Sequence, residues 1–326
     1  MATPIFDCLR HKYHESKLIA VIRNYVHGVI EDGPWFDHVI GTDDKSARGF
    51  YRLVRNIRRI RPDLAIVLPN SVRSALSIRL AGVKEIYGYR RNGRSWLLRG
   101  GPKPIQFQNG ILPVPMVHYY MEICRQLGLA LPDGVKPHLS VSDLLEEKGN
   151  QLLTSYGIMS QDMIIGLNPG AKFGSSKCWP PKYFAELAEL LEARWDCKIL
   201  LFVGPGEDQI AQSIVEMSEA TIINTGPDKV NLALLKPLVR RCRLLITNDT
   251  GPRHYAVAFD VPVVVIMGPT DPRYTATNLE KTLVLREELE CSPCHRKKCP
   301  HDHDCMRRIS PRTVFETSQK LLETLA

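Results

Sequence analysis

Apolar positions recur along this chain with two periods, and the switching between them sets the architecture. Ile5, Phe6 and Leu9 fall at helical spacing behind Thr3-Pro4, which predicts a helix over 3–13. Short apolar runs at 18–23 and 35–40 read as one strand and the approach to another. Over 46–61 the helical period returns, with Leu53, Val54, Ile57 and Ile60 as the apolar stripe of a basic helix. A strand over 64–68 ends at Pro69-Asn70-Ser71, a helix over 74–81 follows, and 118–127 is a further amphipathic helix. After a domain boundary near 140–160 the pattern restarts. Strands at 163–167, 198–203, 221–224, 244–246 and 261–267 alternate with helices, among them 181–195 and 231–241. A last helix begins at Ser310-Pro311 and carries Val314, Phe315, Leu321 and Leu322.

Strands alternating with helices predict an α/β protein with parallel sheets covered on both faces. The 326 residues fit two doubly wound, Rossmann-like domains facing a cleft, 1–150 and 151–326. The first opens in a helix where such domains open in a strand, so its sheet is expected to lack a first strand.

Three strand-to-helix turns of the second half carry candidate chemistry. Asn248-Asp249-Thr250-Gly251-Pro252-Arg253-His254 puts a Gly-Pro pair where a helix starts, with Gly251 as the expected N-cap. A phosphate approaching Gly251 meets no Cβ and rests against the positive helix end. Asp249 and Thr250 fall at the strand's C-terminal edge, where open α/β sheets bind ligands, and His254 one helical turn further on. The plainer reading is an Asp and a Thr that cap a helix. The second turn, 169–177, holds Gly170, Gly174, Ser175, Ser176 and Lys177, a phosphate cradle in composition but not in Walker A spacing. The third ends in Glu207, which suits either ribose hydroxyls or a helix's first turn. Together the three favour a nucleotide diphosphate site.

Charge adds a second feature. The formal net charge is +8, and residues 48–103 hold fourteen Lys and Arg against Asp63 and Glu85. Nothing there matches a nucleic-acid-binding motif, which leaves a solvated face or one that meets anionic lipid or phosphorylated sugar. The longest apolar runs are too short to span a bilayer, and the first residues carry no secretory pattern, so a cytoplasmic protein is expected.

The motifs Pro169-Gly170-Ala171, Lys177-Cys178-Trp179-Pro180, Asn248-Asp249-Thr250-Gly251 with His254, and Gly268-Pro269-Thr270-Asp271-Pro272 resemble glycosyltransferase family 9, the lipopolysaccharide heptosyltransferases. Val67-Leu68-Pro69-Asn70-Ser71 resembles its heptosyltransferase II branch. The resemblance covers nearly the whole chain and implies a GT-B fold whose last helix packs back on the N-terminal domain. It implies metal-independent, inverting transfer of heptose from ADP-heptose to the lipopolysaccharide inner core, with a Kdo- or heptose-bearing lipid A as acceptor and the protein peripheral on the anionic inner membrane surface. By matching motifs Ser175, Ser176 and Lys177 hold the diphosphate, and Lys177 neutralises the leaving group's charge. Glu207 holds ribose, and Asp249, Thr250, Gly251 and His254 bind sugar and phosphates. Asn70, Arg73, Arg90, Arg91 and Arg94 are acceptor-binding candidates. The family's general base, an aspartate, falls upstream of Met1 by this pattern, and Asp7 does not match it. Rival expectations are a nucleotide-sugar-binding paralogue without activity and a member using another nucleotide sugar.

Five cysteines are scattered and read as reduced thiols. The other four, Cys291, Cys294, Cys299 and Cys305, lie among His295, His301 and His303. This density admits a structural metal, reduced loop thiols or disulfides formed on oxidation.

Overall fold

The structure, a computed structural model, describes residues 1–107, 110–131 and 134–325. Two compact units divide the chain. One comprises Met1–His27, Gly33–Val135 and Arg273–Thr275, the other Gly28–Asp32, Lys136–Pro272 and Ala276–Ala326. The division falls at residues 135 and 136, earlier than the expected 150. The cause is a helix, Asp143–Ser155, in the stretch read as boundary; its Leu153 packs into the second unit's core.

The second unit is built on a six-stranded parallel sheet, ordered Thr282–Leu285, Val263–Ile266, Leu244–Asn248, Met163–Asn168, Cys197–Leu201, Ile222–Asn224. Every residue of Leu244–Asn248 and Val263–Ile266 is buried, as in a sheet covered on both faces. One layer gathers Trp179, Phe184, Leu187 and Leu191, the other Leu235, Leu238, Tyr255 and Ala256. From Met163–Asn168 the chain builds outward through Cys197–Leu201 and Ile222–Asn224, then crosses to the other side at Leu244–Asn248. The sheet's direction of growth thus reverses between two neighbouring strands that end at Asn168 and Asn248. That reversal point is where such sheets leave a crevice.

The last helix, Pro311–Thr324, belongs to the second unit. Its Val314, Phe315, Leu321 and Leu322 lie in the second unit's own core. Burying each contributes roughly 1.5–3 kcal/mol, so the apolar stripe fixes the helix there.

In the first unit Thr3–Lys12 is helical, as predicted. The parallel strands form two separate pairs, Ile19–Arg23 with His38–Thr42 and Leu64–Ile66 with Glu85–Tyr87. No strand joins the pairs among the described residues. The helix Ala47–Ile60 buries Leu53, Val54 and Ile57 and is capped by Ser46 Oγ, which accepts from Gly49 N–H at 3.0 Å. Its opposite face exposes Arg48, Tyr51, Arg52, Arg55, Arg58 and Arg59. No helix among the described residues is long and apolar enough to cross a membrane.

Candidate functional site

The reversal point brings together the turns after Asn168 and Asn248. Asn168 Nδ2 donates to Thr247 Oγ1 and Thr250 Oγ1, both at 3.0 Å. Asn248 Nδ2 donates to the Pro169 carbonyl at 2.6 Å, and its Oδ1 accepts from the Trp179 amide at 3.2 Å. Two buried amides therefore lock the two turns to each other with their hydrogen-bonding capacity largely used.

Asp249 lies at the centre. Its Oδ1 accepts from Arg253 Nη1 at 2.8 Å, and its Oδ2 from Lys177 Nζ and Thr270 Oγ1, each at 2.7 Å. Burial alone would raise its carboxyl, but the Lys177 and Arg253 cations outweigh it and hold the group well below the carboxylate range. Two cations against one anion leave the cluster with a net positive charge.

Above it Gly251–Ala258 begins, with Thr250 rather than Gly251 as N-cap. The shift by one residue follows from the Asn168 bond, which holds Thr250 extended at φ −139°. A Cβ on the exposed Gly251 would meet no heavy atom within 4 Å, so the approach to the helix's free N–H groups is open. His254 is partly buried. Desolvation and the neighbouring Arg253 cation push its imidazole down to about 3, so it is neutral at physiological pH.

The turn Ser175–Lys177 is a short 3-10 segment. Ser175 is exposed and Lys177 Nζ reaches Asp249. Ser176 departs from its expected part as a phosphate ligand. It is 3% exposed; its amide donates to the Lys297 carbonyl at 3.1 Å and its hydroxyl to the Arg296 carbonyl.

Glu207 folds back over its own turn, and its Oε2 accepts from Gly204 N–H at 2.8 Å. The carboxyl lies so close to the first turn that a Cβ at Gly170 would stand 1.9 Å from it, which explains the glycine there. Desolvation raises the Glu207 carboxyl, partly opposed by the Gly204 bond.

In the first unit one acceptor candidate is corrected. Arg94 has no exposed surface: Nε donates to the Tyr89 carbonyl at 3.0 Å, and the terminal nitrogens reach the Pro69 and Ser71 carbonyls and Asn70 Oδ1. It ties the loop 67–71 together and cannot meet a ligand. Asn70 Oδ1 also accepts from Tyr119 Oη at 3.2 Å. Arg90 and Arg73 are exposed, although Arg73 also donates to the Asp44 and Ser46 carbonyls. Arg91 is half-buried.

All nine cysteines are free. Among the described residues no group of three or more His, Cys, Asp or Glu side chains is placed to hold a metal ion. Burial, and then the nearby thiols of Cys299, Cys294 and Cys291, push Cys305 up to about 11. Sequence reasoning gave no role to Arg253, Thr270 or His303. Thr270 and Arg253 stood within quoted motifs, Arg253 one helical turn after Asp249, and His303 stood only among the histidines of the cysteine-rich loop.

The family model described as glycosyltransferase family 9 (heptosyltransferase) matches residues 50–304. Over 289 residues, 83% of this chain and 80% of the relative, the sequence is 30% identical to lipooligosaccharide heptosyltransferase 2 of Haemophilus influenzae. Over 167 residues it is 35% identical to lipooligosaccharide heptosyltransferase 2 of Campylobacter jejuni. The chain spans about half the length of the Campylobacter relatives it matches, 51% in each. The solved structure of ADP-heptose lps heptosyltransferase II from E. coli superposes with a TM-score of 0.79 at 23% identity, covering 99% of this chain and 95% of that one. The shared fold is GT-B, built from Rossmann-like domains.

Proposed function

The chain belongs to glycosyltransferase family 9, the heptosyltransferases, and from that membership we propose that it transfers heptose from ADP-heptose to the lipopolysaccharide inner core with inversion at the anomeric carbon. The observation that carries this reading is the buried Asp249 cluster, net positive, set beside an open helix N-terminus at the reversal point of a parallel sheet. A nucleoside diphosphate is the ligand that fits such charge. Lys177, the Ser175 hydroxyl and the N–H groups that follow Thr250 meet the phosphates. Glu207 accepts from ribose hydroxyls, and the neutral His254 hydrogen-bonds without adding charge.

In the reaction the acceptor hydroxyl oxygen bonds to the anomeric carbon as the bond from that carbon to the β-phosphate oxygen breaks. ADP leaves with both electrons of that bond, and Lys177 offsets the charge it gains. The hydroxyl proton passes to a general base, a part that the family pattern gives to an aspartate. This reading assigns no metal to the transfer. The acceptor is a Kdo- or heptose-bearing lipid A, with Arg90, Arg73 and Asn70 as candidate contacts. Its lipid anchor puts the protein at the cytoplasmic face of the inner membrane, where the exposed arginines of Ala47–Ile60 suit an anionic surface.

The test is incubation of the purified protein with ADP-heptose and a Kdo-bearing or heptosylated lipid A. ADP release, product mass and the anomeric configuration by NMR are then followed. ADP binding without product would replace this reading with a non-catalytic binding protein. Turnover of a different nucleotide sugar in preference would overturn the donor assignment.

A further inference from the structure

The cysteine-rich loop lies over both donor-side turns of the second unit, and the transfer chemistry above gives it no part. On one turn, Ser292 Oγ donates to the Gly268 carbonyl and the His295 amide to the Pro269 carbonyl, each at 2.8 Å. On the other, it engages Ser176 at every polar group. Arg296 and Lys297 take its hydroxyl and amide, and His303 Nε2 stands 2.6 Å from its carbonyl oxygen. A carbonyl only accepts, so His303 Nε2 bears the proton. The approach is close enough that a Cβ at Gly174 would stand 2.3 Å from the Lys297 oxygen, and Gly174 adopts φ +152°.

The bond from His303 bears directly on Lys177. The Ser176 carbonyl and the Lys177 amide belong to one planar peptide unit. At one end of that plane His303 holds the oxygen; at the other the Lys177 N–H donates to the Gly174 carbonyl at 3.2 Å. A plane fixed at both ends sets the direction in which the Lys177 side chain leaves the turn. His303 itself sits at φ +65°, a conformation unfavourable for a non-glycine residue that persists where its surroundings over-determine it.

We propose that His303 is a positioning residue which, through the Ser176 carbonyl, aims Lys177 at Asp249 and the leaving diphosphate. The inference rests on the donor reading above only for its kinetic consequence; the geometric part stands on its own. Without the His303 bond this peptide plane is held only at its Lys177 end, by the Gly174 contact. Lys177 then loses its fixed placement, and misplacement by about 1 Å is enough to cost a hundredfold in rate.

The experiment compares wild type with His303→Ala and His303→Gln in the full chain. Glutamine presents an N–H near the position of Nε2 and is the conservative variant. Acetylation of lysine amines, read residue by residue by mass spectrometry, reports on Lys177, with the exposed Lys198 as internal reference. His303→Ala is expected to raise Lys177 labelling about 3–10-fold over Lys198, and His303→Gln to leave it near wild type. In turnover, His303→Ala is expected to lower kcat about 10–100-fold with donor KM changed by less than about threefold, and glutamine to restore most of it. Equal Lys177 labelling in all three proteins overturns the proposal, as does a loss in kcat that glutamine fails to restore. A wild-type protein that neither binds ADP nor turns over donor would overturn the functional reading instead, while the labelling still decides the part of His303. Ser176→Ala removes only the hydroxyl bond, and Lys177 labelling close to wild type there separates the carbonyl anchor from general loosening of the turn.

Discussion

Lys177 Nζ lies 2.7 Å from Asp249 Oδ2 and 2.8 Å from the Asp249 carbonyl oxygen, so one residue receives two bonds from the lysine head group. Arg253 holds the other carboxylate oxygen from within the helix that follows. The cation that meets the donor is therefore placed by an anion, and the two turns are electrostatically one object.

Removing that anion is expected to be costly. Asp249→Ala leaves Lys177 and Arg253, with side chains 12% and 2% exposed, without their counter-charge, a loss of about 3–5 kcal/mol. The acid dependence has a definite sign. The folded carboxyl titrates below its unfolded value near 3.9, so its contribution is complete above that value and drains away as pH falls through the lower, folded one. Thermal unfolding should be flat in this contribution from pH 5 to 8 and fall below about pH 4. Asp249→Asn should flatten that acid limb; an unchanged limb would show that other carboxylates control it. Lys177→Ala, in contrast, should lower kcat by about 10²–10³.

Glu207 is expected to separate stability from binding. Its carboxyl is raised by desolvation, so the charged form is less favourable folded than unfolded, and the penalty is fully present above the folded value. Glu207→Gln keeps an oxygen for the Gly204 N–H and removes the charge. The unfolding midpoint at pH 7.5 should hold or rise. A charged acceptor for ribose hydroxyls is worth roughly 1.5–3 kcal/mol, so ADP affinity by calorimetry should fall about 10–100-fold. Unchanged affinity would reduce Glu207 to a turn staple.

How far the sequence carried varied with the kind of interaction. Five of the second unit's strands were legible because each centres on a short apolar run between turn residues, as with Leu244-Leu245-Ile246, whereas Thr282–Leu285 was not foreseen. Asp249, Lys177 and Glu207 were legible as residues at strand-to-helix turns, yet not as partners, since 72 residues separate Lys177 from Asp249. Ser176 reads from sequence as a phosphate ligand because composition cannot tell a hydroxyl facing solvent from one donating to a carbonyl 120 residues away. The helix Asp143–Ser155 was hidden for a simpler reason: only Gly149 and Leu153 of it are buried, too few positions to give a period.

Arg94 and Arg90 lie four residues apart in a basic stretch and should behave oppositely. Arg94 satisfies several carbonyls from a fully buried position, and each left bare costs about 1–3 kcal/mol. Arg94→Leu should therefore lower stability by about 3–5 kcal/mol, read as loss of the first unit's unfolding transition at physiological temperature. Arg90 is exposed and makes one side-chain bond to the Gly101 carbonyl at 3.0 Å. Arg90→Ala should stay within about 0.5 kcal/mol of wild type and raise only the KM for acceptor. Equal destabilisation by the two would contradict the distinction.

The helix Ala47–Ile60 presents Arg48, Arg52, Arg55 and Arg59 along one exposed line, with Tyr51 beside them and no acidic residue in the helix. Spacings of four, three and four residues keep all four on one face, so they can approach a flat charged surface together. Each is worth about 1 kcal/mol near an anionic bilayer. Reversing Arg52, Arg55 and Arg59 to glutamate should lower binding to phosphatidylglycerol-rich vesicles by at least about a hundredfold in a sedimentation assay. Wild-type binding should weaken steeply between 50 and 500 mM salt, because the Debye length shrinks over that range from roughly 14 to 4 Å. The buried stripe of Leu53, Val54 and Ile57 is untouched by these changes, so the thermal midpoint should hold. Vesicle binding that survives both charge reversal and high salt would place the membrane contact elsewhere on the protein.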